Sequence, residues 1–195
     1  MQIIFATNNE HKVSEIRSAL PEGMEVISLR EAGIDIEIPE PHPTLEENAL
    51  EKAATIYALQ HTSCFSEDTG LEVAALGGAP GVKSARYAGD NSSSSQNIDK
   101  LLRELEGREQ REARFRTVIC LVWEGKPVYF EGTCKGSILR ERRGEKGFGY
   151  DPVFVPHGSE KTFAQMEQAE KNIFSHRGKA LLKLVAFLKQ LKVNT

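Results

Sequence analysis

Two adjacent carboxylates, Glu67 and Asp68, lie in the segment SEDTG between two short apolar runs that we predict to be strands. Neighbouring carboxylates in a tight turn suit Mg²⁺, which often takes only one or two carboxylates beside water and phosphate. Such a carboxylate can also orient or deprotonate an attacking water. The alternative is a plain polar turn, in which Asp68 bonds to its own backbone ahead of Gly70. Glu40 and Glu47 offer further acidic groups, but their spacing alone does not bring them to the same place.

The segment FATNNEHK, residues 5–12, places polar side chains at a helix start directly after the first predicted strand. A Thr hydroxyl, two Asn side chains, helix N–H groups and the ammonium of Lys12 can together bind phosphate oxygens. Common phosphate loops are rich in glycine, because the backbone must approach the anion, and this segment has none. A phosphate site here would therefore depend on side chains. The alternative is that Asn8 or Asn9 only caps the helix and that Lys12 is solvated.

The segment GEKGFGYDPVF, residues 144–154, combines flexible glycines with two aromatic side chains, Phe148 and Tyr150. Aromatic rings on a glycine loop can hold a planar base by stacking. The alternative is a loop that folds its aromatic side chains back onto the core.

The segment FSHRGK predicts a helix that Ser175 caps, with His176 and Arg177 in its first turn. Cations at this end oppose the helix dipole, and such a placement is tolerated most readily where it serves a site. Both side chains can donate to a carbonyl on a base or to phosphate. The alternative is a surface cluster of charges.

These segments need a scaffold of alternating strands and helices. Helical periodicity predicts four helices: from His11 to Pro21, after Thr44 with Glu47 completing a capping box, within 91–105, and at the end of the chain. Apolar runs predict strands at 3–5 and 26–29, on both sides of SEDTG, and in a hairpin of Phe115–Trp123 and Val128–Cys134. The proline-rich stretch 33–43 is predicted to be a loop. The pattern predicts an α/β fold with a mixed sheet, whose hairpin could carry a second lobe and leave a cleft.

Composition narrows the class of protein. The chain has 195 residues and a net charge of −3, which argues against broad binding to a nucleic-acid backbone. Its three cysteines are widely spaced without a CxxC pair, which favours free thiols in a reducing compartment. The sequence shows neither a secretory signal nor an apolar run of the ~20 residues that a membrane helix needs. We therefore expect a cytoplasmic protein without membrane or nucleic-acid partners.

The order of the motifs resembles the inosine triphosphate pyrophosphatase family over essentially the whole chain. The resemblance rests on FATNNEHK, TLEENALEKA, SEDTGLEVAALGGAPGVKSARYAG, GFGYDPVF and EKNIFSHRGKAL. It implies one domain over residues 1–195, elongated and two-lobed, with a twisted mixed sheet flanked by helices and an active-site cleft between the lobes. It also implies a homodimer. The implied reaction is the Mg²⁺-dependent hydrolysis of ITP, dITP or XTP to the monophosphate and pyrophosphate, which removes non-standard purines from the nucleotide pool.

The resemblance also implies roles for individual residues. Asp68 matches the general base and a metal ligand, and Glu40 matches a second metal ligand. The positions that match substrate contacts are Thr7, Asn8, Asn9, Glu10, His11, Lys12, Thr69, Phe148, Gly149, Tyr150, Asp151, Lys171, His176 and Arg177. The chain departs from the common pattern at Glu67, where Asp is frequent, at Thr69, where Ser is common, and at Asn8, where Gly is frequent.

Two other functions stay open at this point. One is a non-catalytic module that binds or senses purine nucleotides, although a pure binder need not keep the carboxylate of Asp68. The other is a Mg²⁺-dependent phosphatase that releases orthophosphate stepwise.

Overall fold

The computed structural model describes residues 2–193, in which helices and strands alternate along the chain. The strands are β1 (Gln2–Phe5), β2 (Glu25–Ser28), β3 (Cys64–Val73), β4 (Pro80–Gly81), β5 (Glu112–Trp123), β6 (Lys126–Ile138) and β7 (Phe154–Pro156). The helices are α1 (Glu10–Ser18), α2 (Leu45–Gln60), α3 (Ser94–Glu104), α4 (Gln168–Phe174) and α5 (His176–Val193). Among the described residues, no helix is both long enough and apolar enough to span a membrane.

The strands form one mixed sheet, as the sequence pattern predicts. Their order is β2–β1–β3–β5–β6–β7, and β4 pairs with β3. β1 runs parallel to β2 and to β3, with Phe5 opposite Ser28 and Phe65, whereas β7 runs antiparallel to β6. A turn of two residues joins β5 to β6, so the predicted hairpin is confirmed and its strands are longer than predicted.

The chain divides into two compact units. The first contains residues 1–68, 117–132 and 176–195, and the second contains residues 69–116 and 133–175. Strand β3 passes from the first unit into the second between Asp68 and Thr69.

In the first unit, helices cover both faces of the sheet. Ile119 and Leu121 of β5 belong to a core that contains side chains of α1 and α5, whereas Cys120 and Val122 pack with Ala53 and other residues of α2. Successive residues of a strand point to opposite faces. Strand β5 therefore lies between α1 and α5 on one face and α2 on the other.

The second unit has its own apolar core. Side chains of α3 pack there with the ends of β3 and β6 and with Phe115, Phe154 and Phe163. The rings of Phe115 and Phe154 meet edge to face, with centroids 4.7 Å apart. This core supports the glycine-rich segment 144–154, because Tyr150 and Val153 belong to it.

The predicted helix starts are largely right. Asn9 caps α1, Thr44 caps α2, and Ser93 forms a capping box with Gln96 at α3. At α2, the hydroxyl of Thr44 accepts a hydrogen bond from the Glu47 N–H, 3.2 Å away, and donates to the Glu47 carboxylate, 2.7 Å away. Glu47 is thus engaged in starting a helix.

One element was predicted wrongly. SEDTG is not a turn between two strands, because residues 66–70 lie inside the continuous strand β3. Polar residues at this density usually mark a turn. Here the side chains of Glu67 and Asp68 are buried and find charged or hydrogen-bonding partners on neighbouring helices, so the strand continues.

Candidate active site

The loop before α1 is shaped by its own polar side chains. The hydroxyl of Thr7 accepts a hydrogen bond from the Asn9 N–H (3.2 Å), and Oδ1 of Asn9 accepts one from the Lys12 N–H (3.2 Å). Nδ2 of Asn8 donates to the carbonyl of Ile36 at 3.3 Å. Side-chain hydrogen bonds therefore fix this loop, whereas common phosphate loops are rich in glycine.

The exposed positions Glu10 and His11 begin α1. The carboxylate of Glu10 lies 3.1 Å from the guanidinium of Arg30. Both residues were predicted as substrate contacts, and their exposure leaves them accessible to a ligand.

Because β3 is continuous, Glu67 and Asp68 point to opposite faces of the sheet. Glu67 contacts Lys12 of α1 and Arg177 of α5, whereas Asp68 contacts Asn48 and Lys52 of α2. The prediction that the two neighbouring carboxylates act together on one cation from a turn is therefore wrong. The close contacts of Glu67 are with α1 and α5, and those of Asp68 are with α2.

Glu67 is the centre of a buried charge cluster in the first unit. The ammonium of Lys12 lies 2.6 Å from Oε1 of Glu67, and Nε of Arg177 lies 3.2 Å from Oε2. Nη1 of Arg177 also bonds to the carboxylate of Glu15, which is buried on α1. The alternatives of a solvated Lys12 and of a surface cluster at His176 and Arg177 are therefore wrong, since none of these side chains is exposed.

Electrostatics hold this cluster in its ionised form. Burial by itself lowers the pKa of Lys12, but the carboxylates of Glu67 and Asp68 more than offset it, and the pKa is raised above its usual value. Burial likewise lowers the pKa of Arg177, and the carboxylates of Glu67 and Glu15 reverse that effect and raise it. Both cations therefore stay charged at neutral pH.

The start of α5 lies close to strand β6. A Cβ atom added at Gly132 would overlap the carbonyl oxygen of His176. The missing side chain thus lets the first turn of the helix approach the strand and bury His176 and Arg177. Ser175, the predicted cap of α5, lies at the end of α4, where its N–H donates to the carbonyl of Lys171 at 3.0 Å.

Asp68 occupies the other face of β3. Its Oδ2 accepts a hydrogen bond from Nδ2 of Asn48 (3.3 Å), and its Oδ1 lies 3.9 Å from the ammonium of Lys52. Burial raises the pKa of Asp68, and the charges of Glu40 and Glu67 raise it further, against the opposing effect of Lys52 and Lys12. A carboxylate with a raised pKa is a better proton acceptor than an ordinary surface aspartate.

Glu40, the second predicted metal ligand, lies in the loop before α2. Its carboxylate bonds to the ammonium of Lys52, which places Glu40 in the same group of charges as Asp68. In the part of the chain that the structure describes, no cluster of three or more Asp, Glu, His or Cys could hold a metal by itself. Glu40 and Asp68 still fit Mg²⁺, because this ion commonly takes one or two carboxylates with water and substrate phosphates.

The second unit holds the other predicted substrate contacts around a buried ion pair. The ammonium of Lys171 lies 2.5 Å from Oδ2 of Asp151, and the same oxygen accepts the Phe148 N–H at 3.0 Å. The Lys171 nitrogen is also 5.3 Å from the centre of the Phe148 ring. The structure thus brings Phe148, Asp151 and Lys171 together.

The two aromatic side chains of this segment behave differently. Tyr150 is buried in the core of the second unit, where its hydroxyl donates to the carbonyl of Ser84 at 2.8 Å and where burial raises its pKa. For Tyr150 the structure therefore favours the alternative of an aromatic folded onto the core. Phe148 is only partly buried and precedes Gly149, whose φ of 60° is typical of glycine. Thr69, partly exposed on β3, begins the second unit.

Sequence reasoning missed three polar residues that contact the predicted ones. They are Lys52 and Asn48, which contact Asp68, and Glu15, which contacts Arg177. A signal was present for the first two, because residues four apart on a helix share a face and TLEENALEKA places Asn48 and Lys52 at that spacing. For Glu15 the helical pattern of α1 held no such signal.

The chain is similar to known proteins over nearly its whole length. The sequence profile of the Ham1 family matches residues 3–187. The dITP/XTP pyrophosphatase of Christiangramia forsetii is 48% identical over 96% of this chain and 99% of its own length. The dITP/XTP pyrophosphatase of Caldanaerobacter subterraneus is 46% identical over the full length of both chains.

Solved structures give the same result for the fold. The Ham1 protein of Staphylococcus aureus superposes with a TM-score of 0.87 at 38% identity, over 97% of this chain and 99% of that one. The HAM1 protein of Coxiella burnetii gives a TM-score of 0.88 at 36% identity, with the same coverage. A match over nearly the whole length, in sequence and in structure, means that the chain belongs to the Ham1 family.

Proposed function

We propose that this protein hydrolyses dITP, ITP and XTP to the nucleoside monophosphate and pyrophosphate. The observation that carries the proposal is that Asp68 is buried beside the ammonium of Lys52, while the neighbouring Glu67 is paired with Lys12. Relatives that are nearly half identical over their full length are dITP/XTP pyrophosphatases. A proton acceptor on β3 can activate water, and two lysines beside the same strand can neutralise phosphate charge, which suits attack by water on a phosphate.

The reaction needs one proton acceptor and one leaving group. In the proposed step, the oxygen of water forms a bond to the α-phosphorus, and the bond from that phosphorus to the bridging oxygen breaks. Pyrophosphate leaves with the electron pair, and the carboxylate of Asp68 takes the proton of the water. Burial raises the pKa of Asp68, which supports this role.

Charge balance supports a metal requirement. The first-unit site contains three cations (Lys12, Lys52, Arg177) and four carboxylates (Glu15, Glu40, Glu67, Asp68). Such a group does not by itself neutralise a triphosphate. Bound Mg²⁺ would neutralise phosphate charge and stabilise the leaving pyrophosphate. Glu40 and Asp68 are the residues that would hold it.

The resemblance implies which residues select the base. Phe148 offers a ring for stacking, and Lys171 lies beside that ring. His176 and Arg177 are donors, which suit the six-keto group of inosine and xanthine and disfavour the amine of adenine. At least three N–H groups of Arg177 already donate to Glu15 and Glu67, so this guanidinium is held in a fixed orientation.

Two further expectations belong to this proposal. The resemblance implies a homodimer, which light scattering after size-exclusion chromatography would test. A cytoplasmic location is supported by the three cysteines, which are all buried and unbridged.

One assay tests the proposed function. The protein is incubated with Mg²⁺ and ITP, dITP, XTP, GTP or ATP, and the products are identified. Pyrophosphate with IMP, dIMP or XMP, together with slow use of ATP, is the expected result. Orthophosphate with the diphosphate would instead identify a stepwise phosphatase. Binding of ITP without turnover would identify a nucleotide-binding module.

A further inference from the structure

Asn48 is a completely buried amide side chain on α2. It makes hydrogen bonds in two directions, to the backbone of a loop and to the carboxylate of Asp68. Buried amides are costly to leave unpaired, so the positions of their partners are closely determined. Asn48 therefore ties two separate parts of the first unit to the same helix.

In the first direction, Asn48 fastens the loop that carries Glu40. Its Oδ1 accepts the backbone N–H of His42 at 2.9 Å, and its Nδ2 donates to the carbonyl of the same residue at 3.2 Å. Glu40 lies two residues earlier and bonds to Lys52, one helical turn beyond Asn48. Asn48 and Lys52, on one face of α2, thus hold the loop from Glu40 to His42 that precedes this helix.

In the second direction, Asn48 fixes one oxygen of the proposed base. Nδ2 of Asn48 donates to Oδ2 of Asp68 at 3.3 Å, and the ammonium of Lys52 lies 3.9 Å from Oδ1. The two oxygens of Asp68 therefore have different partners on the same helix face. Two such contacts restrict rotation of the carboxylate about its χ2 bond, which is otherwise soft.

We propose that Asn48 is a positioning residue that sets the orientation of the Asp68 carboxylate and the place of the Glu40 loop. This inference rests on the proposed function for its kinetic consequence. It goes beyond that function by giving a role to a residue that contacts the proposed base and the backbone of His42.

The second unit offers a matched control, Asn97 on α3. Asn97 is also a buried helical amide that fastens a loop: its Oδ1 accepts the Ala88 N–H at 2.7 Å, and its Nδ2 donates to the carbonyl of Ala85 at 3.0 Å. Asn97→Ala removes the same kind of bonds without touching the proposed base. A purely structural role predicts equal effects of the two alanine substitutions.

The kinetic test compares Asn48→Ala and Asn97→Ala with the wild type for pyrophosphate release from dITP. We expect Asn48→Ala to lower kcat by about 10- to 100-fold, because a misplaced catalytic group costs that much. KM should change little, since the substitution removes a hydrogen bond to the proposed base and leaves the proposed substrate-binding side chains intact. Asn97→Ala should lose thermal stability and retain kcat. Equal kcat values for the two variants would overturn the proposal.

A second readout does not depend on turnover. In protein labelled with ¹³C at the aspartate side chains, the Asp68 Cγ resonance is identified by its loss in Asp68→Asn. We expect this resonance to move in Asn48→Ala and to stay in place in Asn97→Ala. An unmoved resonance in Asn48→Ala would overturn the inference, whatever the wild-type activity. If the wild type released no pyrophosphate, the proposed function would fail while the resonance still decided the role of Asn48.

If Asn48→Ala does not fold, Asn48→Asp serves in its place. This variant keeps the shape of the side chain and an acceptor for the His42 N–H, and it replaces the amide donor with a carboxyl group. We expect it to fold and to lose kcat. Wild-type turnover in Asn48→Asp would show that the contact with Asp68 does not matter.

Discussion

The ammonium of Lys171 lies 2.5 Å from Oδ2 of Asp151, and both side chains are almost completely buried. The same oxygen accepts the backbone N–H of Phe148. A Cβ atom added at Gly147 would overlap this carboxylate, so the loop closes tightly around it. Asp151 therefore holds the Phe148 loop from inside the second unit, whether or not it also touches a nucleotide.

We expect Asp151→Ala to be strongly destabilising, because it leaves the buried ammonium of Lys171 without its carboxylate. Breaking one partner of a buried pair costs about 3–5 kcal/mol. The Phe148 amide should also exchange its hydrogen faster, since it loses its acceptor. Urea denaturation and hydrogen exchange measure the two effects.

The exposed pair of Lys161 and Glu170, 3.0 Å apart in the same unit, supplies the control. Glu170→Ala should cost at most about 1 kcal/mol, as is usual for surface ion pairs, and should leave the Phe148 amide unchanged. Equal stability losses in Asp151→Ala and Glu170→Ala would contradict the structural role given to Asp151.

Asp68→Asn should abolish most turnover while the protein stays folded. Burial raises the pKa of Asp68, so its ionised form is disfavoured in the native state and a neutral amide of the same shape fits well. We expect a rate of pyrophosphate release about 10²- to 10⁴-fold lower, which is the usual contribution of a general base. The melting temperature should be equal to or above that of the wild type. Near-normal turnover would remove Asp68 from its role as base.

Features of the fold were predictable from the sequence where they depend on contacts between residues close together in the chain. Helix starts were predicted well, because the capping residues Asn9, Thr44 and Ser93 each bond to the residue three positions further along the chain. The helical spacing that identifies the apolar faces is local in the same way. Such elements need no knowledge of the rest of the chain.

Longer-range contacts explain what was missed. SEDTG reads locally as a turn, and it becomes a strand because Glu67 is paired with Arg177, 110 positions away in the chain. The contact between Asn48 and Asp68 spans 20 positions, and its detection requires that α2 packs on β3. The family resemblance assigned roles to individual residues in advance, and those roles stay predictions. It did not show that Tyr150 belongs to a core.

Lys12→Ala should impair use of the triphosphate and also reduce stability. The ammonium of Lys12 is mostly buried against Glu67, so its loss leaves that carboxylate with Arg177 as a remaining partner. We expect kcat/KM for dITP to fall by about 100-fold, roughly 2.7 kcal/mol of transition-state stabilisation. The free energy of unfolding should fall by about 1.5–3 kcal/mol, the range for a hydrogen bond to a charged group.

Initial rates and urea denaturation separate these two effects. Lys161→Ala, which removes an exposed lysine from a surface ion pair, should leave kcat/KM unchanged and cost at most about 1 kcal/mol of stability. An unchanged kcat/KM in Lys12→Ala would show that Lys12 stabilises the fold without binding substrate.

Two buried thiols should make the stability of the protein fall in alkaline solution. Burial raises the pKa of Cys64 and of Cys120 to about 12 each, from the value of 9.0 for an unperturbed thiol. Between these pH values the thiols ionise in the unfolded chain and stay protonated in the native one. Their contribution to stability is therefore complete below pH 9.0 and is lost as the pH rises towards about 12.

The expected slope is about 1.4 kcal/mol per pH unit for each thiol over that range. Urea denaturation at a series of pH values measures it, and Cys120→Ala should reduce the thiol contribution by about half because only Cys64 then remains from the pair. The same burial predicts that a thiol reagent labels neither residue at pH 8 until the protein unfolds, since the thiolate is the reacting form. Rapid labelling of the native protein would show that β3 and β5 open far more often than their buried positions imply.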